Sequence, residues 1–486
     1  MVNARSHPLF SAIALSLLLA GCMVGPDHVR PDVATGDRFA QDLLAPEAAT
    51  AAHTDAAFWR GFDDPLLAGL VEDALRANHD LRIALARLDQ ARAVARQSRL
   101  DLFPTVTADA GASDVRSSAD QAPGLARGQR DAESHEAGVR AAWELDFFGR
   151  VRRDAQSRRA DAEASAADLA AVQVSVAAEV AQAYFELRGR QAQLAVARGN
   201  AGNQRGSLDL VTARLEAGRG TELDAARARA QWESTRSRIP ALEADVAASM
   251  HRIAVLTGRT PGSLLATLAA PTALPEPHDA AQAGVPAELL RRRPDVAAAE
   301  ARLESATARV GVATADLFPR FTLGGLIGSQ AMDAGALLGR DSETRVVALG
   351  VDWSFLDVGR VRARIAQAEA GADENLARYQ QTVLLALEET ENALARHRSA
   401  RAELAHLRAA AEAGQRGAEL ARLRFEGGLV DFLAVLDAER VRLDAEDDLA
   451  RGRARAAIAQ VAVYRALAGG WPDRPPIREE AIVAGG

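Results

Sequence analysis

The 486-residue chain contains no lysine. A phosphate-binding loop needs a lysine beside the phosphates and a Schiff-base enzyme needs a lysine amine, so both kinds of site are excluded. Aromatic residues make up only 4% of the chain and hydrophobic residues 48%, and alanine, leucine and arginine dominate, which is typical of long helices. The formal net charge of −8 is spread along the chain without a basic stripe, which argues against nucleic acid as a partner.

A single cysteine is present, and it directly follows a predicted export signal. Arg5 supplies the positive start of the signal, and a short apolar stretch and small residues precede Cys22. The segment Leu19-Ala20-Gly21-Cys22 resembles the lipobox of bacterial lipoproteins, which implies a signal peptide of residues 1–21 and a palmitate-bearing N-acyl diglyceride on Cys22. Met23, in place of an aspartate, implies sorting to the outer membrane. The alternative is an ordinary buried thiol.

Three short motifs occur twice, in the same order and about 210 residues apart. We therefore predict a first repeat at residues 76–275 and a second at 276–468, between a lipidated segment at 22–75 and a C-terminal tail at 469–486. Each repeat is predicted to contain a helix, two strands and then two much longer helices. The motif pairs are Asp101-Leu102-Phe103-Pro104 with Asp316-Leu317-Phe318-Pro319, Phe148-Gly149-Arg150-Val151-Arg152 with Val358-Gly359-Arg360-Val361-Arg362, and Arg214-Leu215-Glu216-Ala217-Gly218 with Arg424-Phe425-Glu426-Gly427-Gly428.

Between the first two motifs of each repeat, apolar and polar residues alternate with the period of two that half-buried strands require. Each strand is about ten residues long, enough for a tilted strand to cross a bilayer. No run of about 18 apolar residues follows Cys22, so a passage through a membrane must use these strands. The predicted apolar face consists of Val106, Ala108, Ala110, Ala137, Val139, Ala141, Trp143, Leu145, Phe147, Phe321, Leu323, Ile327, Val347, Leu349, Val351, Trp353 and Phe355.

After Gly149 and Gly359 the apolar period becomes that of a helix, and no proline interrupts residues 150–218 or 360–427. A helix of that length reaches about 100 Å, so it must pack in a coiled-coil-like array. Four strands per chain cannot close a barrel, because about eight are needed. Two chains would give a filled barrel of about eight strands and three a wider barrel of about twelve, and the polar strand faces favour the wet interior of a trimer. The predicted fold is mainly α-helical with a membrane β-barrel segment.

The chain resembles the outer-membrane factor family, the TolC-like outer-membrane efflux proteins, in the lipoprotein branch that serves RND-type tripartite systems. This resemblance implies a homotrimer with a twelve-stranded β-barrel and a periplasmic α-helical barrel. It also implies a channel for multidrug resistance, without enzymatic activity, that passively conducts solutes delivered by an inner-membrane transporter through a periplasmic adaptor. The segments that carry it are Cys22-Met23-Val24-Gly25-Pro26-Asp27, Phe58-Trp59, Leu290-Arg291-Arg292-Arg293-Pro294-Asp295-Val296, Arg424-Phe425-Glu426-Gly427-Gly428, Val435-Leu436-Asp437-Ala438 and Tyr464-Arg465-Ala466-Leu467-Ala468-Gly469-Gly470-Trp471.

The same resemblance implies a gate at the periplasmic helix tips, where aspartates of the second repeat form rings in the trimer. Asp437 is the first candidate and Asp431 the second, since three carboxylates converging on an axis repel one another and bind cations. The first repeat has Arg227 at the position of Asp437, so the two tips are not equivalent. The alternative for Asp431 is an ordinary helix N-cap.

Residues around the same turn are predicted to make the tip contacts. Phe425 stands where relatives often carry a tyrosine whose hydroxyl helps hold the closed state, so the resemblance implies a looser gate here. We expect ion pairs between helices from Arg424 and Glu426. Leu429 and Phe432, together with Leu433, either meet the helical hairpin of the adaptor or pack between the paired helices.

Two other classes of protein compete with the channel. A periplasmic adaptor or scaffold lipoprotein without a pore explains the long helices and Cys22, but it leaves the apolar strand faces without a cover. An enzyme on a helical scaffold would need a nucleophile, metal or nucleotide motif, and none is recognisable. The nine histidines are scattered without metal-ligand spacing, so no cofactor is predicted beyond the acyl group on Cys22.

Overall fold

The computed structural model describes residues 23–33, 36–40, 57–275 and 285–468. The predicted signal peptide, Cys22 and the C-terminal tail lie outside the described residues. The strands are β1 Thr105–Arg116, β2 Asp131–Leu145, β3 Arg320–Ala331 and β4 Glu343–Asp352. The helices are α1 Pro65–Ala77, α2 His79–Leu100, α3 Arg150–Glu216, α4 Glu222–Leu256, α5 Leu265–Leu268, α6 Pro286–Arg292, α7 Pro294–Ala315, α8 Val358–Glu426 and α9 Phe432–Ala466.

The two halves of the chain contain the same series of elements. The helix α2, the strands β1 and β2 and the helices α3 and α4 follow one another in the first half, and α7, β3, β4, α8 and α9 do so in the second. Pro104 and Pro319 directly precede β1 and β3. Proline has no amide hydrogen for a helix and favours an extended residue before it, so the chain leaves the helical conformation at these positions. The predicted fold class, mainly helical with four antiparallel strands, is confirmed.

The chain folds as two compact units. The first, called the strand unit, contains residues 23–32, Arg87–Ala166 and Ala298–Gln380, and so holds the four strands and the adjoining helix segments. The second, called the helical unit, contains the described residues of three segments: Val33–Ala86, Ala167–Ala297 and the chain from Gln381 onward. The predicted gate residues Asp431 and Asp437 and the predicted tip contacts all lie in the helical unit.

The sheet of the strand unit is antiparallel with the order β1-β2-β3-β4, so β2 and β3 join the two repeats and β1 and β4 are its edges. Its register places the predicted apolar residues on one face, because Ala141 pairs with Val106, Trp143 with Leu323, and Leu323 with Leu349. This face is exposed within the chain, up to 83% at Val347. The opposite face carries Asp109, Glu136, Arg140 and Glu144. The predicted amphipathic strands are therefore present.

Equivalent tryptophans anchor the foot of the sheet in both repeats. The indole Nε1 of Trp143 donates to the carbonyl oxygen of Leu102, and that of Trp353 to Leu317, each at 3.0 Å. Tryptophan suits such a position because its ring is apolar while its N–H needs an acceptor. The exposed apolar face of the sheet is thus bordered by aromatic residues with satisfied polar groups.

An extended N-terminal segment, residues 23–32, crosses the strand unit and is called the strap. The buried guanidinium of Arg153 donates to the carbonyl oxygens of Val24 and Gly25 at 3.1 and 3.2 Å and pairs with Asp27 at 2.8 Å. Gly25 has a φ of 87°, and a Cβ there would lie 2.4 Å from the Cα of Gly311 in α7. Only glycine allows this approach, so the strap is fixed against the helices.

The helical unit has an aromatic core near its N-terminal 3₁₀ turn. Phe58 stacks on Tyr464 with ring centroids 5.0 Å apart, and Phe62 meets Phe185 edge-on at 4.9 Å. Burial, reinforced by a hydrogen bond to Asp64, raises the pKa of Tyr184 to about 12, so this hydroxyl stays a donor. These contacts hold residues 57–64 against α3 and α9.

The helix α3 contains a stretch that is apolar on average, although polar residues such as Gln173 and Glu179 interrupt it. It contains an 18-residue window with a mean hydropathy of 1.3, half of which is buried inside the chain. Val176, Val180 and Leu187 of this helix are at most 3% exposed. Burial of this kind is typical of a core helix, so the apolar stretch of α3 contributes to packing in the helical unit.

Candidate functional site

The two tip turns, residues 217–221 and 427–431, have the same backbone design. Gly218 and Gly428 both have a φ of 70°. The amide of Arg219 donates to the carbonyl oxygen of Arg214, and the amide of Leu429 donates to that of Arg424, each at 2.8 Å. This is the Schellman arrangement, which ends a helix by satisfying its last carbonyl groups and favours glycine at the left-handed position. The glycines of the repeated motif therefore end α3 and α8.

Each return helix begins at a side-chain cap. Asp431 accepts a hydrogen bond from the amide of Ala434 at 3.1 Å, and Thr221 accepts one from the amide of Asp224 at 3.1 Å. A cap of this kind contributes about 1 kcal/mol to a helix. The structure thus gives Asp431 a structural role, which was the alternative considered from the sequence, while a role in a gate stays a prediction.

An apolar cluster beneath the turns joins the helices of both repeats. Phe425 and Phe432 are 8% and 3% exposed, and their ring centroids lie 5.3 Å apart. Of the three apolar residues expected to face either an adaptor or the paired helices, Phe432 is therefore in the core. Leu429 and Leu433 are 72% and 50% exposed and remain accessible. The buried cluster consists of Leu208, Val211, Ala228, Phe425, Phe432 and Val435.

Arg214 links the tips of the two repeats, a role that the sequence analysis missed. Its guanidinium lies 4.2 Å from the ring centroid of Phe425 and donates to the carbonyl oxygens of Phe425 and Glu426 at 3.3 and 3.4 Å. A cation at a helix C-terminus is stabilised by the helix dipole, and an arginine over a ring gains a cation–π interaction. Arg214 is the repeat counterpart of Arg424, which is the sequence signal that points to it.

The remaining tip residues lie at the surface of α8 and α9. Asp437 pairs with Arg440 at 2.8 Å, and about two thirds of each side chain is exposed. Glu426 pairs with Arg422 of its own helix at 3.3 Å. The expected ion pair between helices from Glu426 is thus an ion pair within α8, and Arg214 makes the link between the helices. Arg227, at the position equivalent to Asp437, is also exposed.

A ladder of polar contacts joins α3 to α9 behind the tip. Gln193, Asn200 and Ser207 recur at seven-residue spacing on one stripe of α3 and donate to Asp447, Glu446 and Glu439 of α9 at 3.1, 2.9 and 2.9 Å. Glu439 is only 5% exposed. Hydrogen-bonded polar pairs between packed helices fix their register, so the ladder holds α9 in a defined position against α3.

Among the described residues, no group of three or more His, Cys, Asp or Glu side chains is placed to hold a metal ion. The site is instead a pair of capped helix turns with exposed carboxylates, at the ends of helices that begin beside a membrane-type sheet. An amphipathic sheet attached to such helix pairs is typical of a membrane-channel protein.

Comparisons with known proteins place this chain in a family. The family model described as outer membrane efflux protein matches residues 70–259 and 285–469. The toluene efflux pump outer membrane protein TtgF of Pseudomonas putida is 30% identical over 477 residues, covering 96% of this chain and 98% of the relative. Outer membrane protein OprJ of Pseudomonas aeruginosa is 32% identical over 475 residues, covering 95% and 96%.

Solved structures agree with the sequence relatives. The outer-membrane channel OprN superposes with a TM-score of 0.86 at 42% identity, over 93% of this chain and all of the OprN chain. The Campylobacter jejuni CmeC channel, at 22% identity and a TM-score of 0.85, has the same fold. The chain belongs to the outer membrane efflux protein family. It is an outer-membrane channel protein of the efflux-pump type, as the resemblance implied.

Proposed function

We propose that three copies of this chain close a twelve-stranded barrel in the outer membrane and conduct solutes passively through it. One observation carries the proposal: the sheet exposes apolar side chains such as Val139, Ile327 and Val347 on one face, and among the described residues one side of both β1 and β4 is unpaired. Unpaired backbone groups are costly in lipid, so the edges need partners. Four strands are too few for closure, and a polar inner face needs a water-filled lumen.

Energy and cargo selection then reside in other proteins. We infer an RND-type inner-membrane transporter and a periplasmic adaptor as partners, since a passive channel needs a source of solute and the exposed tip leucines Leu429 and Leu433 offer a contact surface. Relatives of similar identity carry names for toluene efflux, at 30%, and for pyoverdine export, at 33%. Such different cargoes support selection by the transporter and not by the channel.

The N-terminus supplies the proposed anchor. The strap starts at Met23, next to Cys22. The amide of Val24 in the strap donates to the carbonyl oxygen of Phe148, which lies three residues after the end of β2. An acyl chain on Cys22 would therefore start near the foot of the sheet, close to the membrane boundary. A lipid anchor together with an inserted barrel gives the chain two independent membrane attachments.

The first test is native mass spectrometry of the full chain purified from membranes, followed by recordings in planar bilayers. We expect an assembly of three chains, each carrying the mass of the acyl groups on Cys22, and long-lived pores that prefer cations. A monomer or dimer that never conducts would contradict the channel assembly and favour a scaffold lipoprotein.

The tip gate gives a sharper prediction. In a trimer, three copies of Asp437 on the channel axis would hold a cation and restrict the opening. We expect Asp437→Ala to raise single-channel conductance by roughly twofold or more and to reduce cation preference, because the ring of charge is lost. Single-channel recordings measure both quantities.

The matched control is Glu222→Ala, which removes an exposed carboxylate from the first-repeat tip. This variant should conduct like the unaltered chain. If Asp437→Ala also has unchanged conductance and selectivity, Asp437 does not form the gate and only makes an ion pair with Arg440 at the protein surface. The gate must then be formed by other residues.

A further inference from the structure

The strand unit contains a groove rich in arginine that the conduction of solutes does not use. It lies between α2 and α3, has a volume of about 1020 Å³, and is called the arginine groove. Five arginines line it against two glutamates, so its charge is strongly positive. The charged lining residues are Arg92, Arg96, Arg99, Arg152, Arg159, Glu163 and Glu304.

Three of these arginines have no acidic partner. Arg152 pairs with Asp146 at 3.1 Å and Arg159 with Glu163 at 2.9 Å. In the part of the chain that the structure describes, no carboxylate lies within 4.0 Å of the exposed guanidinium groups of Arg92, Arg96 and Arg99. Their spacing of four and three residues puts them on one face of α2. Clustered like charges are unfavourable without a counter-ion, so this face is suited to an anion.

The second repeat has an equivalent groove between α7 and α8, which the strap borders. Strap residues from 26–31 line a cavity of about 550 Å³ there, together with Thr307, Thr314, Glu369 and Asp373. By the spacing of the repeated motifs, these four residues correspond to Arg92, Arg99, Arg159 and Glu163. The helices of the strap-bordered cavity contribute the carboxylates Glu369 and Asp373, whereas those of the arginine groove contribute five arginines and two glutamates. The basic lining therefore distinguishes the arginine groove from its counterpart in the second repeat.

The arginine groove opens on the side of the strand unit that carries the strap. On α7, Glu300 pairs with Arg30 of the strap at 3.2 Å, and Gly311 is in contact with Gly25. Glu304 lies one turn from Glu300 and two turns from Gly311, so all three share a face of α7. Glu304 also lines the arginine groove. The groove and the strap are thus on one surface, which points away from a channel lumen if Cys22 is acylated.

The level of the groove along the helices matches a membrane boundary. Arg99 lies in the last turn of α2, just before β1, and Arg152 lies in the first turn of α3, just after β2. The remaining arginines extend about 10 Å along the two helices, roughly the depth of a headgroup layer. Guanidinium groups at that depth face lipid phosphates.

We propose that the arginine groove binds the phosphate of an anionic phospholipid in the periplasmic leaflet of the outer membrane. Guanidinium groups donate two parallel hydrogen bonds to phosphate oxygens, and basic pockets between helices at a membrane surface hold anionic headgroups. Such a lipid fixes the vertical position of the strand unit. This proposal goes beyond conduction and does not depend on the tip gate.

The test compares lipid retention by the purified full chain in native mass spectrometry, with phosphatidylglycerol and with phosphatidylcholine. We expect the unaltered protein to retain phosphatidylglycerol preferentially. The combined variant Arg92→Gln, Arg96→Gln and Arg99→Gln should lower this retention at least about tenfold, since each basic residue near a lipid surface contributes severalfold to binding. Retention of phosphatidylcholine should not change.

The matched control removes three exposed arginines near the helix tip, by Arg219→Gln, Arg227→Gln and Arg229→Gln, and should retain phosphatidylglycerol fully. Arg96→Lys, which keeps the charge but not the paired donors, should show an intermediate loss even if the triple variant folds poorly. Equal retention by all variants overturns the proposal. Efficient displacement of the lipid by inorganic phosphate, or a changed oligomer mass in the triple variant, overturns the lipid as occupant and assigns the groove to free phosphate or a second chain.

Discussion

Val347→Arg is expected to prevent assembly in the outer membrane, while Val346→Arg, one residue earlier in the same strand, is expected to be tolerated. Val347 pairs with Gly325 on the apolar face and is 83% exposed, whereas Val346 lies on the opposite face and is 54% exposed. An arginine on the lipid face near the membrane centre costs about 2–4 kcal/mol per chain, and an assembly of several chains repeats this cost. A charge on the inner face remains in water.

The measurement is the amount of heat-resistant oligomer in the outer-membrane fraction of cells that express each variant. We expect Val346→Arg to reach the level of the unaltered chain and Val347→Arg to fall at least about tenfold, as an insertion cost of more than 1.4 kcal/mol implies. Equal amounts of the two variants would mean that the apolar face of the sheet does not meet lipid. The pair differs only in the face that receives the charge, which makes general misfolding an insufficient explanation.

The strand faces were predictable because alternation with a period of two assigns each residue of a strand to one face of the sheet. Once Val139, Ala141 and Trp143 are placed on one face, every neighbouring strand must match them in register, or it would expose charge to the apolar side. The long helices were equally clear, since no proline interrupts residues 150–218 or 360–427. Local pattern therefore determined the fold class and the order of elements.

The contacts at the helix tips were not predictable in the same way. Gln193, Asn200 and Ser207 are visible in the sequence as polar residues at regular spacing, but their partners lie in α9, more than 200 residues later. Arg214 and Arg424 occupy equivalent motif positions, and only the packing decides that Arg214 covers Phe425. A pattern defines the face of a helix, whereas the neighbour that meets that face is set by tertiary packing.

The cluster of basic residues before α7 shows the same limit. Pro294 begins this helix and Asp295 lies in its first turn, as an ordinary N-terminal signal would have it. The sequence did not indicate that Arg293, just before them, has its side chain only 8% exposed while Arg291 and Arg292 are exposed residues. Of these three arginines, Arg293 is therefore the one whose side chain belongs to the interior of the helical unit.

Arg293→Met is expected to cost about 3 kcal/mol of stability, the typical loss when one partner of a buried ion pair is removed. The guanidinium of Arg293 pairs with Asp295 at 2.7 Å and Glu389 at 2.8 Å and donates to the carbonyl oxygen of Ala466 at 2.8 Å. Burial alone would raise the pKa of Glu389, but its hydrogen bonds to Arg293 and Arg465 outweigh burial and hold that pKa below the ordinary value of 4.5. Without Arg293, the partly buried carboxylate of Glu389 loses its pair at 2.8 Å and retains Arg465 at 2.7 Å.

The pH dependence of this loss separates the ion pair from simple packing. Because the folded-state pKa of Glu389 is lowered, its contribution is fully present above the ordinary value of 4.5 and is lost as pH falls through the lower folded value. The gap in thermal midpoint between Arg293→Met and the unaltered chain, followed by the helical circular dichroism signal, should therefore be widest near neutral pH and shrink in acid. Arg465→Met is the control, since Arg465 also meets Glu389 at 2.7 Å but is 48% exposed, which limits its effect to about 1 kcal/mol or less. A gap that is equal for both variants, or constant with pH, would show that Arg293 stabilises the helical unit by its volume and not by its charge.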